Sequence, residues 1–217
     1  MAAIDDVRRA VDTDVLDYQQ LMDCLRGYAK PRDKIRAMLK AGEIVRVKKA
    51  IYVFGERYRR GPWSREILAN LIYGPSYISL DYALSYYGVI PERVVVVTSV
   101  TLSRSRQFET PVGLFTYRSL SRRKYSIGID QQALEAEQHF LIATPAKALA
   151  DKIWTDHRFT PRRTADFRTY LNEDLRVDPD ALNGIDRTML GRIARLYGSR
   201  KIRLLCDYLC GSEGTVS

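Results

Sequence analysis

The hydrophobic pattern at the start of the chain predicts three short helices. Apolar residues recur there every three or four positions, which is the spacing of a helix with one buried face. The three segments are residues 4–12, 18–25 and 31–41. Asp17 is a suitable N-cap for the second helix, Pro31 favours the first position of the third, and Gly42 is suited to end it.

The next segment alternates between apolar and basic residues. Residues 44–47 lead into Lys48-Lys49-Ala50 and residues 51–54 follow, which predicts a compact two-stranded hairpin. Three short helices followed by a basic hairpin predict a winged helix-turn-helix domain over residues 1–58. The arginine-rich residues 57–62 are the expected linker to the rest of the chain.

The remainder of the chain mixes helical and strand patterns without a regular repeat. It predicts a second domain over residues 59–217, with an α+β core to about residue 156 and a helical tail after it. The expected helices are 63–73, 80–87, 145–154, 161–171, 187–197 and 199–210, the expected strands are 93–98 and 139–143, and a hairpin is expected around Pro111-Val112-Gly113. The predicted fold class is therefore α+β, with a winged helix-turn-helix domain first.

Positive charge is concentrated between residues 26 and 65. Thirteen Lys or Arg residues lie in that segment against Asp33, Glu43 and Glu56, a net charge of +10, whereas the whole chain carries +9. A charge so concentrated favours a polyanionic partner, because each neutralised phosphate releases condensed counterions. The segment coincides with the third predicted helix and the hairpin, which favours double-stranded DNA as the partner.

Particular contacts can be assigned within this basic segment. We expect the third helix to enter the major groove, with Arg32 and Arg36 contacting bases because arginine pairs bidentately with guanine. Lys48 and Lys49, at the tip of the wing, are expected to grip flanking phosphate. The full candidate set is Lys30, Arg32, Lys34, Arg36, Lys40, Arg46, Lys48 and Lys49. The alternative is a solvated basic face on an ordinary helical subdomain.

Two further clusters have open interpretations. A second basic cluster could extend a nucleic-acid surface, meet an acidic partner or form a charged loop rim. Its members are Arg104, Arg106, Arg118, Arg122, Arg123 and Lys124. Five tyrosines could stack on bases, but their helical periodicity favours the core or a subdomain interface. They are Tyr73, Tyr77, Tyr82, Tyr86 and Tyr87.

Catalytic and metal-binding signals are poor. With two histidines and three cysteines, the sequence offers no Cys/His metal quartet, and no phosphate-binding glycine motif occurs. Asp81, Glu109 and Lys124 could form a scattered metal site of nuclease type, but no tight carboxylate-x-lysine element supports it. We therefore expect no catalytic residue, no metal and no cofactor. The absence of a long apolar run, of a secretory leader and of a disulfide framework predicts a cytoplasmic protein.

Several separated motifs resemble those of one family. YISLDYALSYYGVIPE, then VVVVTSVTLSRSRQFETPVGLFTYRSL, then IATPAKALADKIW are similar, in that order, to the body of AbiEi-type antitoxins. The preceding AGEIVRVKKAIYVF resembles the basic wing of their N-terminal domain, although Ala50 occupies a turn position where the family commonly has glycine. The resemblance covers about residues 14–154.

The resemblance implies a transcriptional regulator of a bacterial toxin–antitoxin and phage-defence operon. The N-terminal domain would repress its own promoter by binding inverted repeats, and the C-terminal domain would antagonise a nucleotidyltransferase-fold toxin, often by type IV antagonism without a stable complex. Whether the toxin is contacted directly stays open. Two alternatives remain: a metal-dependent enzyme that cleaves or modifies nucleic acid, and a protein-interaction module whose basic face meets an acidic toxin.

Overall fold

The computed structural model of the protein describes residues 2–134 and 138–211, and within them the predicted α+β class is confirmed. The helices are α1 Ala3–Ala10, α2 Tyr18–Cys24, α3 Pro31–Lys40, α4 Arg65–Ile72, α5 Leu80–Tyr86, α6 Arg122–Tyr125, α7 Pro145–Thr155, α8 Asp166–Thr169 continued by a π-helical turn Tyr170–Asp174, α9 Pro179–Asn183, α10 Arg187–Tyr197 and α11 Arg200–Gly211. The strands are β1 Val15–Asp17, β2 Ile44–Lys48, β3 Ile51–Phe54, β4 Ser76–Ile78, β5 Val97–Thr101, β6 Arg106–Thr110, β7 Gly113–Ser119, β8 Ile129–Ala133 and β9 His139–Ala143. Residues 212–217 of the predicted tail lie outside the described part.

Local side-chain chemistry sets the ends of the first helices. Asp17 accepts from the backbone N–H of Gln20 (2.7 Å), and the Gln20 side chain accepts from the N–H of Asp17 (2.8 Å), a reciprocal capping box. After α3 the N–H of Glu43 donates to the carbonyl of Met38 (2.9 Å) while Gly42 adopts a φ of +69°. This Schellman arrangement ends α3 where the glycine predicted it would.

The hairpin of β2 and β3 is confirmed, and it belongs to a larger sheet than the pattern indicated. β3 lies between β2 and the short β1, giving an antiparallel order β1-β3-β2. The strand β1 was not predicted, because three residues are too few to display an alternating pattern. The full order of elements in residues 3–54 is therefore α1-β1-α2-α3-β2-β3.

Ala50 forms the turn of this hairpin with a φ of +67°. An L-residue with a Cβ is disfavoured in the left-handed region, where glycine is not. The turn nevertheless keeps its hydrogen bonding, because the carbonyl of Ala50 accepts from the N–H of Tyr18 (3.1 Å). The hairpin turn thus forms with alanine at the cost of local backbone strain.

Replacing Ala50 with glycine is expected to stabilise the protein. Relief of the left-handed strain exceeds the added entropy of the unfolded chain, so we expect a gain of about 0.5–1 kcal/mol in the free energy of unfolding. Urea denaturation followed by circular dichroism measures it. The matched control is Ala37→Gly, at an exposed position inside α3, which should cost about 1 kcal/mol. Equal losses in both variants would contradict the prediction.

Among the described residues, the buried apolar side chains form two clusters. The smaller lies within residues 4–54 and includes Ile35 and Met38. The larger extends over the second sheet and its helices, yet it also contains Val47 and Val53 from β2 and β3. The first sheet is therefore packed onto the rest of the molecule through apolar side chains of the β2–β3 hairpin.

The second sheet has the order β6-β7-β5-β4-β9-β8. The predicted hairpin is confirmed: β6 and β7 pair antiparallel, with Thr110 opposite Gly113 across the turn. β9 agrees with the predicted strand, and α4, α5, α7, α10 and α11 agree within one or two residues. The Tyr117 hydroxyl donates to the carbonyl of Ala69 in α4 (2.7 Å), which fixes that helix against the sheet.

Two predicted elements are shifted. The strand predicted at 93–98 forms at Val97–Thr101, because only these residues find partners in β4 and β7, and Val95 is 63% exposed. The helix predicted at 161–171 begins at Asp166, whose carboxylate accepts from the N–H groups of Arg162 (2.7 Å) and Arg163 (3.1 Å). Those bonds hold the preceding residues in a turn instead of a first helical turn.

A fully buried ion pair joins α7 to its neighbours. Lys147 and Asp151 are both 0% exposed, and the Lys147 ammonium donates to Asp151 Oδ1 (2.5 Å). The other carboxylate oxygen accepts from the hydroxyls of Tyr77 (3.0 Å) and Ser79 (2.7 Å), and Tyr197 of α10 also donates to this carboxylate. Burial lowers the pKa of Lys147, and the Asp151 charge opposes that shift.

The network also involves Ser79, at the N-terminal end of α5. The residue occupies the N-cap position of α5, but its hydroxyl serves Asp151 and makes no capping bond. The free N–H of Tyr82 instead donates to the hydroxyl oxygen of Thr98 on the neighbouring β5 (3.0 Å). A side chain from another strand therefore caps this helix, which local spacing could not reveal.

Candidate nucleic-acid interface

The outer face of α3 is a row of exposed cations. Ile35 and Met38 are 4% and 2% exposed and anchor the inner face of the helix in the smaller core cluster. The exposed cations are Lys30, Arg32, Lys34, Arg36 and Lys40. Arg32, Arg36 and Lys40, spaced four residues apart, share one side of α3. Lys34 lies further round the helix, over the Tyr28 ring (5.3 Å).

These cations have few partners within the protein. Arg36 lies 3.4 Å from Asp33, but the two side chains are 81% and 58% exposed, so the pair contributes little. In the described part of the chain, the side chains of Lys30, Arg32 and Lys40 make no hydrogen bond or ion pair. Their charges are available to an external anion.

The β2–β3 hairpin adds two exposed cations. Arg46 lies on β2, and Lys49 lies in the turn beside Ala50. Both are solvent-exposed, and within residues 2–134 and 138–211 neither side chain forms an ion pair. The α3 helix and the β2–β3 hairpin that follows it thus both carry exposed cations.

Lys48 departs from its predicted position at the wing tip. Its ammonium donates to the carbonyl of Ile72 at the end of α4. It also lies 4.7 Å from the ring centroid of Phe108 and 5.7 Å from that of Tyr73. Burial, and secondarily the charge of Arg106, lowers the pKa of Lys48. We therefore remove Lys48 from the candidate phosphate contacts, because its side chain holds the wing against the second sheet.

The second basic cluster does not form one surface. Arg106 is paired with Tyr117 across β6 and β7, so their side chains share a face of the sheet, and Arg118 follows Tyr117 and points to the other face. The other three residues lie on α6. Lys124 packs over the Trp154 ring (4.2 Å), and Arg123 donates to the carbonyl of Arg195 (3.4 Å). Only Arg104 and Arg106 lie near the wing, beside Tyr73.

The three residues considered for a metal site do not come together to form one. Asp81 forms an ion pair with Lys152 (2.6 Å) in a cleft of ≈ 410 Å³, Glu109 lies on β6, and Lys124 packs on Trp154. Nowhere in the described ranges do three or more His, Cys, Asp or Glu side chains converge as metal ligands would. The nuclease interpretation therefore gains no support from the geometry.

The five tyrosines lie in different environments. Tyr77 is fully buried and bonded to Asp151, whereas Tyr73 packs edge-on against Tyr117 (5.3 Å between centroids). Tyr82 donates to Glu66, and Tyr86 and Tyr87 pack against each other (5.2 Å). The core and subdomain-interface interpretation agrees with the contacts of Tyr77 and Tyr73, whereas Tyr86 is 45% exposed. The contact of Tyr73 with the wing joins residues far apart in sequence, so no local pattern could have indicated it.

Comparisons with known proteins add no family assignment. The chain matches no protein-family model, and a search of curated proteins returns no match. Over the described residues, no helix has both the length and the apolar character that crossing a bilayer requires.

Proposed function

We propose that the protein is a double-stranded-DNA-binding transcriptional regulator whose residues 1–58 act as a winged helix-turn-helix domain. The order α1-β1-α2-α3-β2-β3, with the sheet order β1-β3-β2, is compatible with that domain. The observation that carries the proposal is the exposed, largely unpaired cation row on α3, next to the exposed Arg46 and Lys49 of the wing. In this proposal α3 enters the major groove and the wing contacts the neighbouring phosphates.

The roles proposed for the arginines and lysines of α3 follow from their side-chain chemistry. Arg32 and Arg36 are one helical turn apart near the start of α3, and arginine can read guanine with two hydrogen bonds. The lysines Lys30, Lys34 and Lys40 are point charges suited to backbone phosphate. Base contacts would supply sequence preference, and the lysines would supply salt-dependent affinity.

The primary test is DNA binding by the full chain. We expect it to bind a labelled duplex from upstream of its own gene more tightly than an unrelated duplex, with affinity that falls as salt increases. Fluorescence anisotropy across a potassium chloride series measures both. Equal affinity for the two duplexes would refute sequence-specific regulation, and no binding at low salt would refute the DNA proposal altogether.

Replacing Lys49 with alanine is expected to weaken binding to every duplex by a similar factor. A lysine that contacts only phosphate reads no sequence, so the log-affinity against log-salt slope should become shallower by about 0.9. The hydrogen bond from the backbone N–H of Tyr18 to the carbonyl of Ala50 does not involve the Lys49 side chain. The fold should therefore tolerate the change. The same titration with Arg122→Ala is the control, because it removes one exposed positive charge from α6, outside residues 1–58. A sequence-selective loss for Lys49→Ala would contradict the assignment.

We further propose that the protein represses its own operon and acts as antitoxin to a nucleotidyltransferase-fold toxin encoded beside it. This proposal rests on the resemblance to AbiEi-type antitoxins, whose motifs lie here on β4–α5, β5 to β7, and β9–α7. Inducing the neighbouring gene alone should arrest growth, and co-expressing this chain should restore it. Arrest that persists at full expression would refute the antitoxin role, and co-purification would decide whether contact is direct.

A further inference from the structure

A small basic surface adjoins the wing on the second sheet. It consists of Arg104 in the loop after β5 and Arg106 at the start of β6, both exposed. The Arg106 guanidinium lies 5.8 Å from the centroid of the Tyr73 ring, and the Tyr73 hydroxyl donates to the carbonyl of Arg104 (3.2 Å). Tyr73 therefore positions both residues.

The same tyrosine ties this surface to the wing. Lys48 reaches over Tyr73 and Phe108 and donates to the carbonyl of Ile72. Lys49 follows Lys48 directly in the chain but is exposed to solvent. Consecutive Cα atoms are about 3.8 Å apart. The exposed Lys49 therefore starts one residue from Lys48, whose ammonium lies over the Tyr73 ring. Arg104 and Arg106 are thus held at a fixed place beside the wing.

The positive charge of this basic surface is not neutralised by acidic side chains in the described part of the protein. Across the described residues, Lys48, Arg104 and Arg106 form no ion pair with an acidic side chain. The nearest acid in the strand, Glu109, is an odd number of residues from Arg106, so it points to the opposite face of β6. Like charges gathered beside a wing raise the local potential, and an anion would relieve that repulsion.

We infer that Arg104 and Arg106 contact the phosphate backbone of the duplex next to the wing, so that the second sheet takes part in DNA binding. The inference rests on the proposed function of residues 1–58. Two exposed arginines are suited to phosphate, since the guanidinium is always charged, and the Arg106 guanidinium also lies beside the Tyr73 ring. The contact reads no base, and it lengthens the DNA footprint beyond the helix-turn-helix.

The test compares two charge-matched double variants of the full chain. One is Arg104→Ala/Arg106→Ala. The control is Arg118→Ala/Arg122→Ala, which removes the same charge from the opposite face of the sheet and from α6. Fluorescence anisotropy with a mixed-sequence duplex three helical turns long is measured over a potassium chloride series. All four side chains are exposed, and circular dichroism melting checks that both variants fold.

We expect the first variant to flatten the log-affinity against log-salt slope by about 0.9 for each phosphate that is no longer neutralised, and the control to leave the slope unchanged. An unchanged slope in the first variant overturns the inference while leaving the proposed function intact. Equal flattening in both variants also overturns it, since the effect would then follow net charge alone. If the unmodified chain binds no duplex, the proposed function itself fails.

Discussion

Replacing Asp151 with alanine is expected to lower the free energy of unfolding by about 3–5 kcal/mol, the usual cost of leaving a buried charge without its partner. Lys147 would keep its ammonium in an apolar interior with no counter-charge within the network. The hydroxyls of Tyr77, Ser79 and Tyr197 would lose their shared acceptor at the same time. Urea denaturation at neutral pH measures the loss.

The matched control is Asp81→Ala, which breaks another Asp–Lys pair. The Asp81–Lys152 distance is 2.6 Å against 2.5 Å for Asp151–Lys147, but those side chains are 35% and 21% exposed. Water can solvate the remaining lysine there, so the expected loss is about 0–1 kcal/mol. Similar losses in the free energy of unfolding of the two variants would show that burial of the ion pair does not determine the size of the loss.

The pH dependence of the Asp151→Ala variant follows from Lys147. Burial already lowers the pKa of Lys147 from its ordinary 10.5, and removal of Asp151 takes away the opposing charge. The folded state then binds fewer protons than the unfolded state over the interval below 10.5, so stability should rise with pH through that interval. Should the variant fail to fold, Lys147→Met/Asp151→Ala removes both charges and is expected to regain part of the loss.

Removing Arg32 and Arg36 together is expected to weaken binding to the chain's own promoter and to relax its base preference. Removing one bidentate pairing with guanine costs about 1–3 kcal/mol, so the two together amount to roughly 2–6 kcal/mol. The unrelated duplex should lose much less affinity, because it offers the two arginines no matched bases. Competition anisotropy with single-base variants of the operator measures both quantities.

The fold should survive that double change. Both side chains are exposed, and the Arg36–Asp33 pair is a surface pair at 3.4 Å. The charge-matched control is Arg192→Ala/Arg203→Ala on α10 and α11, where both arginines are exposed. A promoter preference that survives Arg32→Ala/Arg36→Ala would refute α3 as the reading helix, whatever happens to total affinity.

The sequence predicted the elements whose limits are set by neighbouring residues. Asp17 and Gln20 cap α2, Gly42 ends α3, and Asp186 accepts from Met189 to begin α10. The strand predicted at 93–98 was misplaced, because a run of valines forms a strand only where neighbouring strands can pair with it. The exposed cations of α3 could be predicted as a group, because the helical period alone separates them from Ile35 and Met38.

The α+β class and the dense basic segment on a helix and hairpin could both be predicted from the sequence, since charge and short-range periodicity are local properties of the chain. Tertiary structure alone decided which cations remain outside. It turned Lys48 inward onto Tyr73, separated Arg106 from Arg118 across a sheet, and buried Lys147 beside Asp151. Each outcome depends on a contact between distant residues or on strand register, and no local spacing encodes either.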